Sequence, residues 1–281
     1  MKKLLSRIML VLLLAGTAGV AQAQPVTSEP ADSVMITRLM QSGNGSTLDF
    51  ARKFLNVPYV AHTLEVNSHE RLVVNTRQLD CTTLVETVVA LKLCAEKGMK
   101  SFSDYARMLQ RLRYRHGKLD GYESRLHYFS DWIDDKKAMG LVEEVQAPNP
   151  PFTAVQKLKI DFMSQHPGSY KALKGNPALV RKIAATEKTL TGRTYRYIPK
   201  DKVDNSDAMR GAVKDGDIIA ITCSKPGLDI AHLGFAVWRK DGLHLLNASQ
   251  LHKKVVEEPM TLRQYLQKHP SHTGIRIVRL K

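Results

Sequence analysis

Hydrophobic positions in the first half of the chain recur with the spacing of α-helices. Residues 33–54 show this spacing in two segments, which the sequence Gly43-Asn44-Gly45 separates. Residues 82–95 and 103–113 show it over two further stretches. Because the segment 82–95 is apolar on most of its sides, we expect it to be a buried helix.

The middle of the chain has a less regular pattern. Residues 114–150 are rich in Tyr, Arg, His, Asp and Gly, which is typical of a long functional loop, and they include one short helical segment near residues 128–137. Residues 152–190 are predicted to be mostly helical, with interruptions at two turns that contain proline and glycine. We therefore expect a helical insertion around residues 100–190.

Towards the end of the chain the pattern changes to short apolar runs bounded by turns. Residues 217–222, 233–238 and 243–247 have the length and composition of strands, and Asp241-Gly242 predicts a hairpin turn between the last two. A final strand is expected at residues 276–280. Because the helical segments come before the strands and do not alternate with them, the pattern predicts an α+β fold with an antiparallel sheet.

The first 24 residues have the pattern of a bacterial export signal. A basic start is followed by an apolar run at residues 8–15 and by Ala21-Gln22-Ala23, a small-x-small cleavage motif. The run is too short to span a bilayer stably, and an uncleaved N-terminal anchor is the alternative. We predict a signal peptide over residues 1–24, a single catalytic domain over residues 25–281, a periplasmic or otherwise exported location, and no stable membrane insertion after cleavage.

The composition changes this picture by pointing to an acidic partner. The 281 residues are 43% hydrophobic and 25% charged, which is ordinary for a globular protein and excludes a disordered or fibrous chain. The formal net charge of +15 favours nucleic acid, an anionic membrane surface or a polyanionic substrate. Export argues against nucleic acid. We therefore expect the cell wall, whose stem peptides carry free carboxylates, to be the acidic polymer.

Cys81 is the residue that most clearly indicates chemistry. It follows Asp80 at the start of the predicted buried helix, where unpaired N–H groups and the helix dipole favour the thiolate, the nucleophilic form of cysteine. The alternative is a small buried side chain without a chemical role. Of the other two cysteines, Cys94 is expected in the core, whereas the sequence leaves open a disulfide to Cys223.

A cysteine nucleophile needs a base, and the base needs a group that orients it. His232 is the candidate base because a loop precedes it and a predicted strand follows it, and Asn247 lies on the next strand of the same hairpin. A turn centred on Asp241-Gly242 would leave Asn247 a few residues from direct opposition to His232, so we expect a bulge or a longer turn to bring them together. Ser249, on the same face as Asn247, is the second candidate for the orienting residue.

Six motifs lie at and around these residues: PYVAHTLE (58–65), LDCTTLVET (79–87), SRLHYFSDW (124–132), GDIIAIT (216–222), GLDIAHLGF (227–235) and LLNAS (245–249). They resemble the motifs of NlpC-type papain-fold cell-wall hydrolases and, more closely, those of the exported bacterial family called N-acetylmuramoyl-L-alanine amidase-like. The resemblance spans most of the chain after residue 24. It implies a papain-like core, in which a nucleophile helix packs on an antiparallel sheet.

The resemblance also implies a reaction and a role for each candidate residue. Cys81 would attack the amide that joins the lactyl group of N-acetylmuramic acid to L-alanine, His232 would act as general base and acid, and Asn247 would orient His232. Relatives often carry histidine at this third place, so Asn247 departs from the family pattern, although asparagine serves in other papain-like enzymes. The family looks selective for anhydro-muropeptides, which makes peptidoglycan fragments the expected partner, and no cofactor is implied.

Substrate contacts are expected from two sources. By resemblance, Tyr59, Glu65 and Asp80 fall in motifs whose side chains could take polar groups of the substrate. By chemistry, guanidinium groups pair bidentately with carboxylates such as those of the stem peptide. The further candidates in or beside the loop 114–132 are Arg113, Arg115, Arg125 and Tyr128, for which solvated surface charge or helix packing is the alternative, and Ser249 is added as a polar neighbour of Asn247.

Other classes of function fit the sequence less well. The chain has no HExxH and no CxxC motif, and His269-x-x-His272 lies in a loop near the end of the chain without an evident carboxylate, so no metal site is expected. A wall-directed cysteine endopeptidase, which cuts between stem-peptide residues, would use the same machinery. A basic envelope-binding module that adheres to anionic polymer without catalysis is the alternative outside enzymes.

Overall fold

The computed structural model describes residues 26–43 and 45–281. The predicted signal peptide at residues 1–24 lies outside the described residues. The helices are α1 (Pro30–Gln41), α2 (Thr47–Arg52), α3 (Cys81–Glu96), α4 (Phe102–Arg113), α5 (Phe129–Ala138), α6 (Phe162–Gln165), α7 (Pro177–Leu190), α8 (Asp207–Ala212) and α9 (Leu262–Gln267). The strands are β1 (Val142–Val145), β2 (Ala154–Lys157), β3 (Thr194–Pro199), β4 (Ile218–Cys223), β5 (Ile230–Arg239), β6 (Gly242–Ser249), β7 (Lys254–Glu257) and β8 (His272–Leu280). Within these two ranges, no helix is long and apolar enough to cross a membrane.

The strands form one antiparallel sheet in the order β2-β3-β8-β4-β5-β6-β7. β1 also belongs to it, because it pairs with residues 277–280 of β8 while β3 pairs with residues 274–275. The last strand in sequence therefore lies in the middle of the sheet, with β4 on one side and β1 and β3 on the other. The predicted α+β class with an antiparallel sheet is confirmed.

Helices cover both faces of the sheet at its centre. On β4, Ile218 and Ala220 belong to the core that contains α3, whereas Ile219 and Ile221 belong to a second core that contains residues of α8 and α9. Because successive residues of a strand point to opposite faces, all six residues of β4 are buried. A strand that is covered on both faces is a continuous apolar run, as the sequence predicts here.

α3 is the buried helix that the sequence predicts, and it lies against the strands that carry the other candidate residues. Residues 83–91 are all buried, and the helix contacts β5 and β6. Within it, the Glu86 carboxylate accepts a hydrogen bond from Arg113 Nε at 2.7 Å, which ties α3 to α4 in the interior. The start of α3 is thus fixed relative to the β5–β6 hairpin.

Two predictions for the middle of the chain need correction. Residues 142–145, expected in a loop, form β1, and residues 154–157, expected to be helical, form β2. Within 152–190 the α-helices are α6 and α7. Both unexpected strands are four residues long and contain charged or polar residues, so their strand structure comes from pairing with β8 and β3 and not from their own composition.

Candidate active site

Cys81 begins α3, and the residue before it holds the helix start in place. Asp80 is the N-cap of the helix: its Oδ1 accepts from the Thr83 backbone N–H at 2.8 Å and from the Thr83 hydroxyl at 2.9 Å. The Asp80 N–H donates to Thr83 Oγ1 at 2.9 Å. Asp80, a predicted substrate contact, therefore acts in the structure as the cap that places Cys81 in the first turn.

His232 and Asn247 meet across the β5–β6 hairpin. The hairpin loop is residues 240–241, with Arg239 paired to Gly242, one residue earlier than predicted. This register moves Asn247 two residues closer to the position opposite His232, so the two become diagonal neighbours, which lie within reach of each other. His232 Nε2 and Asn247 Oδ1 are 2.9 Å apart, and no longer turn is needed.

Two backbone features next to His232 shape this contact. The register of the β4–β5 pairing shifts at Ala231, which forms a bulge next to β4. A bulge is thus present in β5 as expected, but on the side that faces β4 and not on the side that faces β6. At Gly234, a Cβ atom would lie 2.7 Å from the Leu246 carbonyl oxygen. Glycine at this position therefore allows β6 to approach β5 closely beside Asn247.

Cys81 and His232 line the same pocket, which has a volume of about 220 Å³. Leu233, the residue after His232, lines the same pocket. The walls come from the start of α3, the start of α5, the α6 region and the first residues of β5. The remaining lining residues are Thr82, His127, Tyr128, Phe129, Met163, Tyr170, Leu228, Asp229, Ile230 and Ala231.

Burial keeps both candidate reacting side chains uncharged. It raises the pKa of Cys81 to about 12, and the Asp80 carboxylate adds to this effect. Burial also lowers the pKa of His232, against the opposing effects of the Asn247 hydrogen bond and the Glu258 charge. The thiolate expected from the helix terminus is therefore not the resting form. A thiol and a neutral imidazole therefore line the pocket.

The geometry favours Asn247 over Ser249 as the group that orients His232. Asn247 is fully buried and contacts His232 directly, as described above. The Ser249 hydroxyl instead accepts from the His252 backbone N–H at 3.3 Å. No hydrogen bond joins the Ser249 side chain to His232 in the described residues, whereas Asn247 makes one.

Two tyrosines border the candidate site. Burial raises the pKa of Tyr59 to about 12, and the charges of Cys81 and Asp80 contribute. Burial likewise raises the pKa of Tyr265, and Glu258 and Cys81 contribute there. The Tyr265 ring is centred 6.3 Å from the His232 ring. Both tyrosines thus lie near Cys81; the family motif indicates Tyr59, and no sequence signal indicates Tyr265.

Arg113 and Arg115 are bound to carboxylates of this chain. Arg113 is 3% exposed and pairs with Glu86, and its Nη1 donates to a backbone carbonyl at 2.5 Å. Arg115 donates from both terminal nitrogens to Asp131, at 3.0 and 2.5 Å. Neither arginine lines the pocket that contains Cys81, so the structure does not bring these two predicted substrate contacts to it.

Arg125 lies between that pocket and a larger cavity. Its guanidinium binds Glu65 at 2.6 Å and Glu70 at 3.3 Å, and it covers the Tyr122 ring at 4.7 Å. Glu65, Glu70 and Tyr122 line a cavity of about 630 Å³. Tyr122 stacks on His127, with ring centroids 4.4 Å apart, and His127 lines the Cys81 pocket. The two cavities are therefore neighbours, and Arg125 supports the ring pair between them.

Tyr128, a predicted substrate contact, lies in the pocket wall together with residues that the sequence did not indicate. Its hydroxyl donates to Glu187 Oε1 at 2.6 Å and accepts from the Met163 N–H at 3.0 Å. Asp229, three residues before His232, accepts from a backbone N–H at the start of α5. Asp229 lies in the motif GLDIAHLGF, so the sequence offered a signal that it belongs to the site. Met163 and Tyr170 come from a segment that contains no such motif.

The structure shows whether the cysteines form a disulfide, which the sequence left open. Cys81, Cys94 and Cys223 are all free thiols. Cys94 is fully buried in the core beside α4, as expected, and Cys223 ends β4. In the described part of the chain, no group of three or more His, Cys, Asp or Glu side chains has an arrangement suited to a metal ion.

Comparison with known families gives a match to one family model. A family model described as N-acetylmuramoyl-L-alanine amidase-like matches residues 49–275, which include the whole of the site described above. The matched region is most of the chain. A search of curated proteins gives no match.

Several solved structures share the fold. A Bacteroides uniformis protein described as an N-acetylmuramoyl-L-alanine amidase is 43% identical over 84% of this chain and 99% of that one, with a TM-score of 0.78. A Bacteroides fragilis protein described as a candidate xylanase is 45% identical over 83% and 100%, with a TM-score of 0.77. A Legionella pneumophila protein at 22% identity covers 89% and 94%, with a TM-score of 0.69, and shows the fold alone.

Proposed function

The chain belongs to the N-acetylmuramoyl-L-alanine amidase-like family, and from that premise we propose that it hydrolyses the amide between N-acetylmuramic acid and L-alanine in muropeptides. The observation that carries this proposal is that Cys81 of α3 and His232 of β5 line one pocket, while Asn247 of β6 contacts His232 directly. A cysteine, a histidine and an orienting amide are the parts that acyl transfer from an amide requires.

His232 would act as the base, because its Nε2 is engaged by Asn247. A neutral imidazole that donates from Nε2 has an unprotonated Nδ1, which can take the Cys81 proton. The sulfur then bonds to the lactyl carbonyl carbon. When the carbon–nitrogen bond breaks, His232 returns the proton to the departing alanine nitrogen. Water, deprotonated by His232, finally releases the lactyl carboxylic acid and restores the thiol.

The start of α3 would stabilise the negative oxygen that forms during these steps. The first N–H groups of an α-helix lack acceptors within the helix, and Asp80 takes only that of Thr83. The N–H groups beside Cys81 therefore remain for the carbonyl oxygen under attack. Fixed N–H donors at such a position contribute on the order of 10²–10³ in rate in other acyl-transfer enzymes.

The two neighbouring cavities would accommodate a substrate that is longer than the bond to be cut. The Cys81 pocket would hold the muramoyl–alanine junction, and the larger cavity lined by Glu65 and Tyr122 gives room for a sugar or a stem peptide. We propose anhydro-muropeptides as the preferred form, on the family resemblance. Cleavage of the segment 1–24 and a periplasmic or otherwise exported location, where such fragments occur, belong to the same proposal.

The test is mass spectrometry of defined anhydro- and reduced muropeptides after incubation with the protein. We expect products with a free L-alanine N-terminus and loss of cleavage in Cys81→Ala. Cys94→Ala is the matched control, because Cys94 is a free thiol in the same helix and lies in the core away from the pocket. Products cut beyond D-glutamate would identify an endopeptidase, and binding without cleavage by the intact protein would identify an adhesion module.

The relative described as a candidate xylanase suggests a control substrate. Glycosidases use two carboxyl groups about 5–9.5 Å apart. Among the described residues that line the Cys81 pocket, Asp229 is the one carboxylate, and it is bound to a backbone N–H. We therefore expect no release of reducing sugar from xylan, and release that survives Cys81→Ala would contradict the assignment of this pocket.

A further inference from the structure

A buried carboxylate lies directly behind the residue that orients His232. Asn247 Nδ2 donates to Glu258 Oε1 at 3.0 Å, and His252 Nε2 lies 3.0 Å from the other carboxylate oxygen, Oε2. The Glu258 side chain is completely buried, whereas the His252 side chain is 33% exposed. The four residues form a continuous hydrogen-bonded row, from His232 through Asn247 and Glu258 to His252.

The chemistry of a carboxylate fixes the orientation of the amide in this row. An ionised carboxylate only accepts hydrogen bonds, so Asn247 has to present its NH₂ group to Glu258 and its oxygen to His232. Because that oxygen only accepts, His232 has to donate from Nε2 and keep Nδ1 unprotonated. With a neutral group in place of Glu258, the amide could turn over and His232 could take the other tautomer.

The backbone of Glu258 is held independently of its side chain. Its N–H donates to the Leu245 carbonyl at 2.8 Å, and its carbonyl lies 2.9 Å from His244 Nδ1. These contacts survive a change of side chain. Burial of a carboxylate costs free energy unless its hydrogen bonds are satisfied. The backbone contacts of Glu258 therefore do not by themselves explain why a carboxylate is buried at this position.

We propose that Glu258 is a positioning residue of the site: through Asn247 it selects the His232 tautomer that can accept the Cys81 proton. His252 would satisfy the second carboxylate oxygen of Glu258. The inference rests on the proposed function, because it assigns a part to the same site. It adds Glu258 to the three residues Cys81, His232 and Asn247, so that the proposed set of catalytic and positioning residues has four members.

The kinetic test is Glu258→Gln, which keeps the shape and removes the charge. We expect kcat to fall on the order of 10- to 100-fold, a part of what general acid–base catalysis supplies, while KM changes little. Glu257→Gln is the matched control: it is the adjacent carboxylate, pairs with Arg52 and Arg239, and should retain kcat. In an Asn247→Ala background, Glu258→Gln should add less than about a twofold loss, since its effect passes through Asn247.

Two measurements separate this inference from the proposed function and from misfolding. The rate at which iodoacetamide alkylates Cys81, located by peptide mass spectrometry, should fall in Glu258→Gln even if muropeptides prove not to be the substrate. ¹⁵N NMR of the unaltered protein should show His232 protonated at Nε2 when neutral. Protonation at Nδ1, or a folded Glu258→Gln variant with unchanged kcat and alkylation rate, would overturn the role of Glu258.

Discussion

At Cys81, the helix terminus and burial act on the thiol in opposite directions. The terminus favours the thiolate, but burial and Asp80 raise the pKa of the thiol to about 12. The structure thus replaces the predicted thiolate with a neutral thiol, from which His232 would remove the proton in the proposed mechanism. The fold brings His232 to the same pocket as Cys81 and does not lower the pKa of the thiol.

This pairing makes a specific prediction for the pH dependence of the reaction. In the proposed mechanism activity requires neutral His232, and because its pKa is lowered from 6.5, the neutral form persists into more acidic solution than for an ordinary histidine. We expect kcat/KM to decline on acidification with a midpoint below pH 6.5. Circular dichroism over the same range separates this decline from unfolding. A midpoint above pH 6.5 would show that the pKa of His232 is raised, so that the resting site holds a charged imidazole, and would contradict this prediction.

The three central residues could be predicted from the sequence because each has a local signal. Cys81 starts a buried helix, His232 starts a strand, and Asn247 lies on the partner strand. Arg113 carries no such signal: its pairing with Glu86, on a different helix, depends on how α3 and α4 pack. Glu258 could not be predicted for the same reason, because it becomes buried behind Asn247 only in the folded sheet.

At the scale of elements, the cap of α3 links helix stability to the position of the nucleophile. We expect Asp80→Ala to lower the free energy of unfolding by about 1 kcal/mol, as for other lost N-caps, and to reduce kcat as well, because Cys81 follows the cap directly. The measurements are urea denaturation and steady-state kinetics.

Ser101→Ala is the control for this prediction. Ser101 caps α4, away from the site, with the same type of side-chain hydrogen bond. It should lose a similar amount of stability and retain kcat. Equal kinetic losses in the two variants would mean that the cap does not position Cys81.

Helices and strands with one dominant apolar pattern could be predicted from the sequence, whereas short strands that depend on a pairing partner could not. α3 and β4 are buried on all sides, so their apolar residues alone indicate them. β1 and β2 have four residues each and pair with strands that lie far along the chain. The hairpin loop was misplaced by one residue, because Asp241-Gly242 indicates a turn without fixing which residues remain paired.

At the scale of the whole molecule, buried neutral histidines couple stability to pH. Burial lowers the pKa of His272 to about 4, with contributions from neighbouring positive groups. The unfolded chain binds this proton near pH 6.5 and the folded chain does so only near 4, so the stabilisation is present above 6.5 and is lost as the pH falls towards 4. We expect the free energy of unfolding to fall over this range, and to fall less in His272→Gln. An equal slope in His272→Gln and in the control His166→Gln, which alters an exposed histidine, would contradict this.

The distance along the chain between the reacting groups has a consequence for timing. More than half of the sequence separates Cys81 from His232, and the strand at the middle of the sheet is the last one to be synthesised. In a chain that has not folded, the thiol is an ordinary cysteine with no base beside it. If the proposed mechanism holds, hydrolytic activity cannot precede completion of the sheet, so a newly made chain is a latent enzyme that needs no separate inhibitor.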